Sequence, residues 1–251
     1  MTSSAIKNAE VVVRATQLDV GYGKLKAARG LDLYVSAGEV VALLGANGVG
    51  KTTTLLTLTG EIPALGGQVF WEGSATTDPL HILARNGMAF IPDEKSVVAS
   101  MTTRDNLRLG GASPAAAVEL FPELGPLLRR RAGLLSGGEQ QILALARALV
   151  RSPRAVIVDE LSLGLAPIVA DRLVRALRSA AADGVAVLVV EQNLRRALAL
   201  ADRFYLMREG RIQLAGVSAE YRDRTDELEQ MLVGATGSPS PQGRPDSRKG
   251  A

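Results

Sequence analysis

Cysteine is absent from the 251 residues, and histidine occurs once, at His81. The first absence excludes disulfides, thiolate metal sites and a cysteine nucleophile. The second argues against His-based metal clusters and Ser-His-Asp chemistry. Aromatic side chains are only 4% of the chain and form no basic-aromatic stripe on which bases could stack. Nucleic acid is therefore not an expected partner, despite the net charge of +3. The one basic cluster, Arg129-Arg130-Arg131, reads as a solvated helix end. No apolar run approaches the roughly 20 residues needed to span a bilayer. Met1 to Glu10 also lacks the apolar core of a secretory signal. The expectation is a cytoplasmic protein that meets a membrane only through a partner.

What is there suffices for one substantial α/β core, and 47% hydrophobic with 22% charged residues is ordinary for a globular chain. Residues 1–10 are expected to fray. The Gly/Ser/Pro/Gln-rich stretch 234–251 cannot bury a core and is expected to be disordered. Between them, residues 11–20, 31–35, 40–44, 68–71, 87–91, 155–158 and 187–190 carry strand patterning, with Gly21-Tyr22-Gly23 as a turn. Helical periodicity takes over from about Met101 to Val150, where Ser113-Pro114 reads as an N-cap and first helical position. It returns over 169–180 and 193–201, and Phe204 to Leu214 reads as a hairpin turned at Glu209-Gly210. Strands alternating with helices, several of them apolar throughout, predict an α/β fold with a mostly parallel sheet covered on both faces.

The most specific stretch is Gly45-Ala46-Asn47-Gly48-Val49-Gly50-Lys51-Thr52, which follows the apolar strand Val40–Leu44 and opens a helix over 52–59. It matches the phosphate-loop pattern G-x-x-x-x-G-K-[ST] residue for residue. Gly45, Gly48 and Gly50 let the backbone, Asn47 included, fold around phosphate oxygens with its N–H groups inward. The helix N-terminus, with Thr53 in its first turn, adds partial positive charge. Lys51 would reach the β- and γ-phosphates, and the Thr52 hydroxyl would ligate Mg²⁺. The chemistry implied is a nucleoside triphosphate site, with ATP and Mg²⁺ as the bound species.

Two predicted strands end in acids or amides where ligands bind in open α/β sheets, one at Asp159-Glu160 and the other at Glu191-Gln192. Asp159 could hold Mg²⁺ through water, and Glu160 could orient or deprotonate the attacking water. The alternative for Glu160 is a solvated loop acid or a helix N-cap. Leu135-Ser136-Gly137-Gly138-Glu139-Gln140-Gln141 offers a capping box, Ser136 with Glu139 three residues on. A cap alone does not explain two glycines in a first helical turn, each unfavourable by up to about 1 kcal/mol against alanine. Glycines there make sense if a ligand approaches the bare backbone.

With these segments in this order the chain resembles the ATP-binding-cassette (ABC) ATPases over roughly residues 11–233, the signature reading LSGGEQQ. The resemblance implies a P-loop NTPase with a mostly parallel core sheet, an antiparallel β subdomain and a small helical subdomain at about 94–150. It implies a head-to-tail dimer, homo- or heteromeric, with each ATP held by the phosphate loop of one subunit and by Ser136, Gly137, Gly138 and Glu139 of the other. It makes Tyr22 the aromatic on which adenine stacks and places Ser162-Leu163-Gly164-Leu165 at the dimer seam. It also implies membrane permeases as partners, a substrate-binding protein indirectly, and a peripheral position on the cytoplasmic face of the membrane.

Departures from the family pattern narrow the resemblance. Pro92 is followed by Asp93 where most members carry glutamine, and Gln192 stands where most carry histidine. Asp93 thereby takes a metal-side position, with Glu94 as the alternative. Gln192 can donate to a γ-phosphate but cannot take up a proton, so the base role falls on Glu160. Both departures, with Ser162 to Pro167, look like the second ATPase subunit of branched-chain amino-acid importers. Leu161 in place of proline and a short helical insert between Leu109 and Phe121 are off that pattern. Urea, amide or lipid cargo is the alternative. A soluble DNA- or ribosome-associated ATPase is disfavoured by the single motif set and the lack of zinc-binding cysteines.

Overall fold

The computed structural model describes residues 10–93, 97–160 and 164–233. Glu94, Leu161, Ser162, Leu163 and the 234–251 tail lie outside them. The chain begins with three strands, β1 (Val11–Tyr22), β2 (Leu25–Ser36) and β3 (Val40–Gly45). Helix α1 (Lys51–Leu58) is followed by β4 (Gly66–Trp71), β5 (Ser74–Thr76), α2 (Leu80–Arg85) and β6 (Met88–Ile91). A helical stretch then holds α3 (Thr103–Leu109), α4 (Pro114–Leu120) and α5 (Gly137–Leu149). The chain returns to alternation with β7 (Ala155–Val158), α6 (Pro167–Ala182), β8 (Ala186–Val190) and α7 (Leu194–Leu200). It closes with β9 (Arg203–Arg208), β10 (Arg211–Val217) and α8 (Thr225–Val233).

These strands form two sheets. One is antiparallel, in the order β2-β1-β4-β5; the other runs β10-β9-β3-β8-β7-β6 and is parallel except for the β10 edge. Strands β3, β7 and β8 are apolar and buried because both of their faces are covered. On one face lies a core with α5, α6 and α7, including Leu143, Leu173 and Leu198. On the other, α1 and the antiparallel sheet enclose Leu18, Leu31, Leu43, Leu55 and Leu188. Edge strand β10 alternates half-buried with exposed residues, as a strand open on one face should.

Several expectations are corrected. The first hairpin is longer than its patterning suggests: β2 begins at Leu25, the turn is Gly23-Lys24, and Tyr22 pairs with Leu25. Polar residues at 24, 26 and 29 hide that half of β2, since one of its faces meets solvent. Arg129-Arg130-Arg131 is not a helix end. It lies in a turn whose Arg131 bridges to Thr102, and Thr103 N donates to Arg130 O at 2.8 Å. The short elements β5, α2 and α8 carry too few residues for a legible period.

Two buried polar side chains tie the parts together. Asn106, fully buried on α3, donates to Val98 O and Thr102 O at 3.0 Å each and accepts from Val98 N at 2.8 Å. It fastens the segment after β6 to the helical stretch. Glu39 and Arg203 form a bidentate pair at 2.8 and 3.1 Å, each side chain 11% exposed. Glu39 also accepts from Ser36 N at 2.6 Å, and Arg203 stacks 4.1 Å over Tyr34 while donating to Tyr34 O and Tyr205 Oη. Burial opposes the Arg203 charge, but the bonds to Glu39 and Tyr205 outweigh it and hold the pKa above its ordinary value. Through Ser36 N and Tyr34 O the pair joins the end of β2 to β9 across the two sheets.

Removing one partner of such a pair leaves the other charge buried and uncompensated. Glu39→Gln is expected to lower stability by about 3–5 kcal/mol, seen as a lower urea midpoint with unchanged slope. An unchanged midpoint would show that the pair does not hold the sheets together.

Candidate active site

The C-terminal ends of parallel neighbours β3, β8, β7 and β6 deliver the phosphate loop, Gln192, Asp159-Glu160 and Asp93 to one rim of the sheet. The phosphate loop needs its glycines for space as much as for angle. A Cβ on Gly45 would sit 2.7 Å from Met207 O. One on Gly50 would sit 3.1 Å from Ala27 O, at a φ of 104° that side chains avoid. Gly48 has φ 78° and open space around it. Helix α1 starts one residue earlier than its sequence pattern suggests, with Gly50 as N-cap. It has no side-chain cap and no acid in its first turn. Nothing of its own therefore offsets the positive end of α1, on which Thr52 is exposed and Thr53 half-buried.

Lys51 is 5% exposed, and its ammonium donates to Gly45 O at 2.8 Å and Ala46 O at 3.0 Å. The lysine is folded over its own loop. Burial lowers its pKa, and the charges of Glu160 and Asp159 partly restore it. Asp159 is 1% exposed, and neither carboxylate oxygen accepts a hydrogen bond of ordinary geometry. Burial is the main cause that raises its pKa. The Thr52 hydroxyl beside it draws the value down, Glu160 and Asp93 push it up, and Lys51 pulls it down. These mutual effects place Lys51, Thr52, Asp93, Asp159 and Glu160 in one electrostatic neighbourhood.

Glu160 follows with φ 50°, in the left-handed region where a side chain is strained. Its Oε1 accepts from Gln192 Nε2 at 2.5 Å, so the amide at the end of β8 braces the acid at the end of β7. Glu191 is buried and accepts from Asn193 N at 3.0 Å, and Asn193 caps α7 through Arg196 N at 2.9 Å. The strain at Glu160 has no signal in the sequence, since it arises where two strands are joined in space.

Ser136 and Glu139 do form a capping box, Ser136 N donating to Glu139 Oε2 at 2.7 Å and Glu139 N to Ser136 Oγ at 3.3 Å. Gly138 has a packing reason as well: a Cβ there would meet Val169 Cγ1 of α6 at 3.1 Å. Among the described residues no hydrogen bond or ion pair joins residues 136–139 to the phosphate loop. Exposed Ser136 and half-buried Gly137 are not part of the same subunit's lysine site. Tyr22, 58% exposed, stands at the hairpin tip opposite Leu25, itself 80% exposed. Two residues on from Leu25, Ala27 O lies 3.1 Å from where a Cβ on Gly50 would stand, so β2 runs past the phosphate loop just beyond the hairpin tip. The sequence does not mark Leu25, because hairpin register alone brings it there.

For a metal, the described residues hold no group of three or more His, Cys, Asp or Glu able to form a cage. The orphaned oxygens of Asp159 with the Thr52 hydroxyl instead suit a hard cation that keeps water and phosphate among its ligands, as Mg²⁺ does.

The family model for the ABC transporter matches residues 28–162. The chain is 39% identical over 208 residues to the high-affinity branched-chain amino acid transport ATP-binding protein BraG of Pseudomonas aeruginosa, covering 79% of this chain and 89% of that one. It is 34% identical to the lipopolysaccharide export system ATP-binding protein LptB of Acidithiobacillus ferridurans, over 84% of this chain and 92% of that one. A solved structure of the ATP binding subunit of an ABC transporter superposes with a TM-score of 0.78 at 26% identity, over 89% of this chain and all of that one.

The raised pKa of Asp159 means that its charge opposes folding at neutral pH. As pH falls through that raised value the folded state takes up a proton before the unfolded state does, and the penalty is relieved. Asp159→Asn is therefore expected to raise the melting temperature of the nucleotide-free protein at pH 7.5, by about 2–4 °C for each kcal/mol recovered. The gain should shrink toward the ordinary carboxylate range. Scanning calorimetry across pH checks it; a loss of stability, or a gain independent of pH, would contradict the electrostatic account.

Proposed function

The chain belongs to the ABC transporter family, whose ATP-binding subunits hydrolyse ATP and work with membrane permeases, and we propose that it powers import of branched-chain or related amino acids. In this reading it sits peripherally on the cytoplasmic face of the membrane, against permease subunits and head to tail with a second ATPase subunit. A substrate-binding protein acts indirectly. No helix among the described residues is long and apolar enough to cross a membrane, which agrees with a peripheral place. The observation that carries the mechanism is the 2.5 Å hydrogen bond from Gln192 to Glu160, beside a lysine that feels both acids.

Glu160 is the general base. With Oε1 held by Gln192, Oε2 is left to accept a proton from water. That water attacks the γ-phosphorus, its proton passes to Glu160, and ADP leaves with the β-phosphate oxygen. Gln192 orients Glu160 and cannot take the proton itself. Lys51 exchanges its bonds to Gly45 O and Ala46 O for the β- and γ-phosphate oxygens, so its buried charge gains an anionic partner. Thr52, Asp159 and Asp93 would hold Mg²⁺, which would neutralise charge on the phosphates. Tyr22 supports the adenine. At the glycine-opened start of α5, Ser136 and Glu139 cap each other, which leaves the N–H groups of Gly137 and Gly138 and the Ser136 hydroxyl proton to reach the γ-phosphate bound by the partner subunit.

The cargo reading rests on the likeness to BraG together with the run Glu191-Gln192-Asn193. The likeness to LptB favours a second reading, the ATPase of a lipid exporter. Cells lacking the chain are expected to lose high-affinity uptake of labelled leucine; unchanged uptake with altered envelope lipid would decide for the second. Glu160→Gln should bind ATP normally, lose about 10²–10⁴-fold in turnover, and elute as an ATP-dependent dimer. Ordinary turnover by that variant would remove Glu160 as base. Lys51→Ala should lose ATP binding in a calorimetric titration, and retained binding would remove the lysine from the site.

A further inference from the structure

The turn corrected above gathers more charge than the sequence run implies. Thr103 N donates to Arg130 O at 2.8 Å, Arg104 N donates to Leu128 O at 3.0 Å, and Thr102 bridges to Arg131. The start of α3 therefore lies alongside residues 128–131. Arg104 and Arg108, one helical turn apart, join Arg129, Arg130 and Arg131 on the outside of the helical stretch. All five are exposed. None of the five guanidinium groups is paired with a carboxylate among the described residues. Asp105, which lies between two of them on α3, is turned to Thr102: its carboxylate accepts from the Thr102 hydroxyl, and its backbone N–H donates to the same hydroxyl oxygen at 3.1 Å. At the far end of α3, Leu109 is 61% exposed.

Most of the chain's other arginines near acids are paired: Arg154 with Glu10 and Glu72, Arg172 with Glu123, Arg178 with Asp202, Arg203 with Glu39, Arg224 with Glu227. Five guanidinium groups without a carboxylate partner among the described residues, on one lobe of a protein with net charge +3, form a local positive field that an external anion can balance. We propose that this arginine cluster binds the anionic phospholipid surface of the membrane that houses the permease. The inference rests on the family's work beside membrane permeases and is independent of the cargo.

Three physical points select lipid over other acidic partners. Cytoplasmic loops of membrane proteins carry an excess of lysine and arginine, so a permease's short loops would repel this surface. Nucleic acid would need stacking side chains, and the cluster contains no aromatic residue. A leaflet of anionic lipid supplies a broad negative potential, which a group of four or more basic residues reads without a fitted pocket. Exposed Leu109 gives the same surface an apolar contact with the headgroup boundary.

The test uses the full-length protein and sedimentation with vesicles of phosphatidylcholine alone or with about a third phosphatidylglycerol. Binding is expected only to the anionic vesicles, and it should fade as salt rises from about 50 to about 500 mM. Replacing all five arginines with glutamine should weaken vesicle binding by at least about tenfold while ATPase activity in solution stays unchanged. Should the fivefold variant fail to fold, Arg129→Gln with Arg130→Gln and Arg131→Gln is expected to show the same direction. Equal binding to both vesicles, or unchanged binding by the variants, overturns the proposal. So does loss of binding when Arg244, Arg248 and Lys249 are changed instead. A variant that keeps the vesicles but no longer binds the detergent-solubilised permease would assign the cluster to a protein partner and overturn it as well.

Discussion

Lys51 and Asp159 are buried in the same neighbourhood with opposite charges, and no ion pair forms between them. The ammonium rests on two loop carbonyls and the carboxylate accepts no hydrogen bond of ordinary geometry. Neither arrangement lowers the energy of the nucleotide-free protein, because burial moves both pKa values toward the neutral form. What holds them there is the sheet beneath. Strands β3, β7 and β8 are apolar on both faces and enclosed by two cores, so their ends cannot shift to bring the charges together. In the proposed function a triphosphate with a hard cation would resolve both defects at once.

The brace between Gln192 and Glu160 follows from the same sheet. β8 lies between β3 and β7, so Gln192, two residues past its end, falls between the phosphate loop and the acids. The left-handed backbone at Glu160 turns its carboxylate back toward that amide. A strained residue at the end of a rigid strand is a stable way to present a base. Within the helical stretch, Asn106 fastens α3 to residues 98–102, and Gly138 at the start of α5 packs against Val169 of α6.

Relatives that carry amino-acid importers' and lipid exporters' names resemble this chain to similar degrees. The physical reason is that the site handles a triphosphate and touches no cargo. Residues that grip phosphate and water are the same chemistry whatever the permease carries. Cargo is a property of partners.

How much was legible in the sequence follows from the reach of each interaction. The phosphate loop, the capping box at 136–139 and the Asp159-Glu160 end could be read directly, because their chemistry is set by backbone angles and side chains within a few residues. The α/β class was legible from the alternation of apolar strands with helices. Strand order was not, since β3, β7 and β8 are buried on both faces and lack the alternation that would tell one neighbour from another. Only the tertiary structure set Leu25 opposite Tyr22, closed Gly138 against Val169, strained Glu160 against Gln192 and drew Arg104 and Arg108 beside the turn at 129–131. Each of these joins residues brought together by packing or register, and a local run of sequence carries no record of what will lie across from it.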